Sequence, residues 1–324
     1  YIAQQQTKIR LFNSLVHFIK GISRMLQAKI VVIGSINMDL VTRASKFPRA
    51  GETLLGNSFH RFMGGKGANQ AIAAARLGAD VCIVGAVGDD DFGYEMTTNL
   101  CREGIFTEHI QTLTGLPSGM ANITVADDEN AIIVIAGANM GLTVADIENA
   151  EQQIASADVV LSQLEIPMDC VITAAKLAKK YGKPFILNPA PAQFLPPELW
   201  ELVTLLTPNR YELADCLGLS QDLNPEELIL KAPCPVLMTM GDKGAVYKDG
   251  KDSLRYVSSF KVDTADTTGA SDAFNGALSV FWNQGIETAV RKACAAAALS
   301  ITQDGAQNGM PFKEELEQFL AAHQ

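Results

Sequence analysis

Short aliphatic runs that end on glycine or a polar residue recur along the chain, as in KIVVIGS (29–35), DVCIVGAVGDD (80–90), DVVLSQLE (158–165) and KPFILNPAP (183–191). Each is short and almost wholly apolar, which reads as a strand buried on both faces. Helical stretches separate them. GGKGANQAIAAARLGA (64–79) opens glycine-rich and becomes an alanine-rich helix, MDCVITAAKLAKKYG (168–182) joins the last two runs, and a further alanine-rich helix covers 286–302. With VTLLTPN (203–209) and PVLMTMGDKGAVY (235–247) the alternation continues. It predicts an α/β fold, a three-layer α/β/α sandwich around a mainly parallel sheet. Residues 39–62 and 118–137 break the rhythm. They alternate like half-exposed strands, with turn chemistry at DDEN, and predict a small flanking sheet that could act as a lid.

The 324 residues, 48% of them hydrophobic, suffice for one large domain, and no repeat or linker divides residues 29–324. A net charge of −10 argues against nucleic acid as a main partner but leaves nucleotides open, since a few local groups hold those. Residues 1–29 carry five cations and no acid, with Leu11, Leu15, Phe18, Ile22 and Met25 at helical spacing. The segment 1–28 therefore reads as a basic extension: an amphipathic surface or targeting helix, or a plain upstream extension. It is too interrupted to span a bilayer. Six cysteines stand singly with no C-x-x-C pair or metal spacing, which suggests free thiols and a reducing, cytoplasmic location.

Ligands of open α/β sheets gather beyond the carboxyl ends of the strands. Polar residues stand at those ends: Asn37 and Asp39, Glu165, Asn188, Asn209, and Thr239 with Gly241. One such residue is ordinary capping, whereas several suggest a polar pocket. The turn GSIN (34–37) lacks the G-x-G-x-x-G of a dinucleotide site, and GGKGANQA (64–71) lacks the Gly-Lys-Ser/Thr of a P-loop. The latter is either a plain helix start or a place where backbone approaches a ligand, with Lys66 and Asn69 as donors to hydroxyls. In DTTGASDAFNGA (266–277) a Gly-Ala turn enters a helix, so free N–H groups and the helix dipole favour an anion. Asp272, three residues on, is either a first-turn acid favoured by the dipole or a base for an attacking hydroxyl.

GGKGANQA and DTTGASDAFNGA together resemble the paired signatures of the ribokinase-like (PfkB) carbohydrate kinase family. GSINMD before them, QLEIP, LNPAPA, TPNRYE and TMGDKGA between them and DGAQ after them follow the family's order, so the resemblance spans about Lys29 to Phe319. It implies a sandwich with a β lid over a sugar site, and a homodimer formed through interlocking lids. It also implies transfer of the ATP γ-phosphoryl group to the 5-hydroxyl of D-ribose, with Mg²⁺ and a monovalent activator, usually K⁺, and no integral membrane association. Other members act on deoxyribose, fructose or nucleosides. A sugar- or nucleotide-binding regulator without catalysis is the reading from a different class.

Carried over residue by residue, Asp272 matches the catalytic base and Gly269, Ala270 and Ser271 the anion hole. Asn37, Asp39, Gly65, Lys66, Asn69 and Glu165 match sugar-contacting positions. Asn209 and Glu212 match residues near the phosphates and Mg²⁺-bound water, and Thr239, Gly241, Asp242 and Gly244 match a loop along the nucleotide. The monovalent cation would be held by Asp266, Thr268, Ser300, Gln303, Gly305 and Gly309, mostly through carbonyl oxygens. Two positions depart from the pattern. Ser271 replaces the second glycine of Gly-Ala-Gly-Asp, at a cost of roughly 1 kcal/mol if the position needs positive φ. Gly309 stands where relatives often place a serine.

Overall fold

The computed structural model describes residues 27–127, 129–249 and 253–323. The amphipathic helix expected within residues 1–28 lies almost wholly outside them. The strands in chain order are β1 (Lys29–Ile33), β2 (Asn37–Arg43), β3 (Ser58–Gly64), β4 (Asp80–Gly88), β5 (Phe106–Leu113), β6 (Gly119–Ala126), β7 (Glu129–Ile135), β8 (Val159–Ser162), β9 (Phe185–Leu187), β10 (Leu205–Leu206), β11 (Leu237–Thr239), β12 (Ala245–Asp249) and β13 (Ser253–Val257). Six form a parallel sheet in the order β10-β9-β8-β1-β4-β5. Parallel bridges Leu206–Val236 and Asn209–Thr239 carry it on to the antiparallel set β11-β12-β13.

The two-residue period of β1 accounts for the layers. Ile30 and Val32 point into one core with the helices Lys66–Arg76, Ala270–Phe281 and Ile286–Ser300, while Val31 and Ile33 point into a second with Met168–Lys180 and Arg210–Leu217. Both faces of the sheet are thus covered, the three-layer sandwich expected from the alternation. β2, β3, β6 and β7 form a separate four-stranded sheet in the order β3-β2-β6-β7; β6 and β7 fall within 118–137, while β2 and β3 overrun the expected stretch 39–62 by two residues at each end. All six cysteines are free. No described helix is long and apolar enough to cross a membrane.

Two features of the fold position the site. The strand order turns at β1, whose neighbours are β4 on one side and β8 on the other, and such a switch point opens a crevice beyond the carboxyl ends. On one face of the sheet, helices Lys66–Arg76 and Ala270–Phe281 meet closely at Gly276, where an added Cβ would stand 2.6 Å from Ala73 Cβ. That approach brings the first turn of the later helix against the first turn of the earlier one.

Candidate active site

Gly269, at φ 81°, ψ 0°, starts the helix Ala270–Phe281 in a left-handed conformation that only glycine adopts freely. No side chain caps this helix, and the N–H groups of Ser271 and Asp272 have no acceptor among the described residues. They are free donors at a helix start beside a carboxylate, an arrangement that favours an anion. Ser271 lies within the helix, and among the described residues Asp127 alone combines a side chain with positive φ. The strain anticipated for Ser271 therefore does not arise, and its side chain is exposed at the mouth of the turn.

The Asp272 side chain is buried and fixed at both oxygens. Asn69 Nδ2 donates to Oδ2 at 2.9 Å and Gln70 Nε2 to Oδ1 at 2.9 Å. Burial pushes this carboxyl up from its ordinary value, against the opposing pull of Lys66, Asn69 and Gln70. Around it stand Asp39, Glu165 and Glu212, with Lys66 as the cation among them. Burial opposes the charge on Lys66, but Asp272, Glu165, Glu212 and Asp39 outweigh it and hold the ammonium above its usual range. Asp39, desolvated and facing Glu165 and Asp272, is pushed up to about 7.

Glu165 accepts from the Ser35 hydroxyl, and from Lys66 N at 3.3 Å. Asn37 Oδ1 accepts from Asn139 Nδ2 at 2.7 Å, and Asn139 Oδ1 in turn accepts from Ile36 N at 2.9 Å. The glycines of GGKG serve the protein itself: a Cβ at Gly64 would collide with the Asp39 carboxylate, and one at Gly67 would meet the Gly34–Ser35 backbone at 2.6 Å. Gly65, at φ 86°, precedes the first turn that carries Lys66 and Asn69. Asn37, Asp39, Lys66, Asn69, Glu165 and Asp272 are thereby gathered at one end of the sheet, from four separate parts of the chain.

Asn209 and Glu212 form a capping box for the helix Arg210–Leu217. Asn209 Oδ1 accepts from Glu212 N at 2.9 Å, and Glu212 Oε2 accepts from Asn209 N at 2.8 Å. Both side chains are thus committed to the cap, although burial still raises the Glu212 carboxyl and couples it to Lys66 and Asp272. Oε1 of Glu212 accepts no hydrogen bond from the described residues. Thr239 closes β11 beside Asn209, followed by a short 3₁₀ turn Gly241–Lys243, where Asp242 is exposed, and by Gly244.

A second cluster lies behind the Gly269 turn. Asp266 Oδ1 accepts from Thr268 N at 2.9 Å and Thr268 Oγ1 at 2.6 Å, while Oδ2 accepts from Gly305 N at 2.9 Å. This ties 266–268 to 305. Burial raises the Asp266 carboxyl, yet these donors prevail and hold it below its usual value. Gly309 packs on the Ser300 carbonyl, with which any Cβ would collide. Here the chain has no room for the serine that the family resemblance led one to expect. Gln303 is exposed and its side chain bonds to none of the described residues.

The model of the pfkB family carbohydrate kinases matches residues 27–313. This chain belongs to that family. The ribokinase of Bacillus subtilis (strain 168) is 44% identical over 294 residues, covering 90% of this chain and 99% of that protein. The deoxyribokinase of Salmonella typhi is 35% identical over 311 residues, covering 91% and 99%. Among solved structures, Arabidopsis thaliana ribokinase complexed with ribose and ATP superposes with a TM-score of 0.84 at 30% identity, covering 91% of this chain and 99% of that one. The protein is accordingly a sugar kinase.

Residue patterns alone missed much of what orients the groups of this kinase. Ser35, Gln70, Asn139, Gln163, Thr207, Asn275 and Gln307 are all buried polar residues in hydrogen bonds around the site. Asn188, noted as a strand end, belongs with them. A signal existed for some: Gln70 sits in an otherwise alanine-rich helix and Asn275 beside Phe274 and Ala277. A polar side chain amid a buried helical face needs a partner.

Proposed function

We propose that this kinase phosphorylates D-ribose at the 5-hydroxyl, taking the γ-phosphoryl group from ATP by in-line transfer. The observation that carries the reading is the pairing of an uncapped helix start with a buried, doubly anchored carboxylate at Asp272. The N–H groups of Ser271 and Asp272 stabilise charge on the transferring group, while Asp272 orients the sugar hydroxyl and takes its proton. Its raised proton affinity suits a base. Asn37, Asp39, Lys66, Asn69 and Glu165 bind the sugar hydroxyls, the carboxylates as acceptors and the amides and ammonium as donors. The small sheet of β2, β3, β6 and β7 acts as a lid that excludes water from the transfer.

Four carboxyl groups around one lysine favour an added cation, and the free Oε1 of Glu212 suits a hard metal ion approached through water. Bound there, Mg²⁺ would neutralise phosphate charge. Asp266, Thr268, Ser300, Gln303, Gly305 and Gly309 are proposed to frame a K⁺ site through backbone oxygens, with the hydrogen bonds of Asp266 shaping the loop. The exposed aliphatic row Ile132, Ile133, Val134 and Ile135 on edge strand β7 supports homodimer formation through the lid, since such a row seeks a partner.

Deoxyribose is the rival substrate, favoured by the 35% identity to a deoxyribokinase. ADP release measured over ribose, deoxyribose, fructose and a nucleoside, with and without K⁺, tests the assignment. Ribose is expected to give the highest kcat/KM, and a preference for any other acceptor overturns it. Asp272→Asn is expected to lower kcat by about 10²–10⁴-fold while calorimetry still detects ribose binding. Near-parental turnover in that variant refutes the role of Asp272.

A further inference from the structure

Behind Asp272 runs a relay of amides in which Gln163 donates to Gln70 and Gln70 donates to the acid. Gln70 Nε2 donates to Asp272 Oδ1 at 2.9 Å and to Asn188 Oδ1 at 3.2 Å. Gln70 Oε1 accepts from Gln163 Nε2 at 2.6 Å, and Asn188 Nδ2 donates to the Thr207 carbonyl at 3.2 Å. Gln70, Gln163 and Asn188 are completely buried. The relay ends on Gln163 Oε1, the one buried side-chain polar atom among the described residues without a partner. That oxygen lies against Gly34, where an added Cβ would collide with it. Thus the glycine of GSIN, which serves no dinucleotide, makes room for this amide.

An orphaned buried acceptor is costly, and reversing the Gln163 amide would not relieve it without setting two carbonyl oxygens face to face. Reversing Gln70 as well would turn its one amide oxygen on both the Asp272 carboxylate and Asn188 Oδ1. The unsatisfied atom therefore stands at the far end of the relay because the near end must present a donor to an acceptor-only group. From this arrangement we infer that Gln163 is a positioning residue for Asp272, acting through Gln70 to hold the base ionised and aimed. The inference rests on Asp272 being the base. The charged groups facing Asp272 are Lys66, Glu165, Asp39 and Glu212, and none of them bonds to Gln163.

The test is the pH profile of kcat at saturating ribose and ATP, from pH 5.5 to 9, for the parent, Gln163→Leu, Gln163→Met, Gln163→Glu and Asp272→Asn, with thermal unfolding recorded for each. Saturation confines the titration of Asp39 to KM. In Gln163→Leu and Gln163→Met the inner oxygen of Gln70 loses its donor. Both variants are expected to lower kcat about tenfold near pH 6.5, and to move the acid limb up by about one unit with ribose KM changed less than about threefold. Gln163→Glu, whose carboxylate would oppose Gln70 Oε1, is expected to lose more. Unchanged profiles in the three Gln163 variants, or an equal loss at every pH that follows the loss of thermal stability, overturn the inference while Asp272→Asn remains inactive. Parental turnover in Asp272→Asn would instead remove the base assignment itself.

Discussion

Asp39 offers the sharpest quantitative consequence of the site. Burial, with Glu165 and Asp272 adding repulsion, lifts its carboxyl from 3.8 to about 7. The folded chain thus keeps a proton that the unfolded chain releases. The associated stability is fully present below the unfolded value and is lost as pH rises through the folded one. At about 1.36 kcal/mol per unit, a rise of some three units corresponds to about 4 kcal/mol at pH 8. Asp39 keeps part of its surface open to the crevice, and screening there roughly halves the figure to about 2 kcal/mol. Asp39→Asn imitates the protonated form, so it is expected to stabilise the free protein by that amount at pH 8. This corresponds to a melting point higher by about 3 °C for a chain of this size. The gain shrinks by more than half at pH 5. If the carboxylate also receives sugar hydroxyls, ribose affinity in the parent falls by up to about tenfold for each pH unit below 7, and in Asp39→Asn it is weak and flat with pH. Thermal unfolding and calorimetric titration at pH 5 and 8 measure both effects. A variant no more stable than the parent at pH 8, or equally stabilised at both pH values, refutes the reasoning.

Two further substitutions probe structure behind and beside the site. Gly309→Ser places a Cβ on the Ser300 carbonyl and is expected to cost about 1–3 kcal/mol in urea unfolding; an unchanged midpoint would mean the segment 305–310 yields freely. Ile133→Asp charges an edge-strand residue that is 67% exposed in the single chain, and sedimentation is expected to show the protein shifting from dimer to monomer, while a parent that is already monomeric defeats the proposed lid interface.

The layout of the fold was open to reading because it depends on local periodicity. Short, mainly apolar runs such as 30–33 and 159–161 read as strands buried on both faces, and once they are parallel, Asn37, Glu165 and Asn209 gather at one end. The alternating stretches 39–62 and 118–137 yielded the second sheet by the same reasoning. Asp272 was visible through its Gly-Ala turn, another local feature. The N-x-x-E at 209–212 shows how one pattern serves two ends: its hydrogen bonds close a capping box, so its relation to Lys66 and Asp272 is through charge and not contact.

What escaped is whatever depends on how two helices approach. Gln70 and Asp272 are separated by 202 positions, and their bond exists because Gly276 removes a side chain between the helices that carry them. Gln163 lies 93 positions from Gln70 and reaches it past Gly34. In both cases the telling residue is a glycine whose vacant side is filled by another part of the protein. Beside GGKG, the same holds for Gly64 under the Asp39 carboxylate and for Gly67 on the Gly34–Ser35 backbone. Glycines near such a site are readily taken as space for a ligand. Here most of that space admits the protein's own carboxylates, amides and backbone, and it is the donors thus admitted that leave Asp272 both buried and oriented. The turn at Gly269 then differs in kind, for the N–H groups of Ser271 and Asp272 that follow it are turned to no acceptor of the described chain.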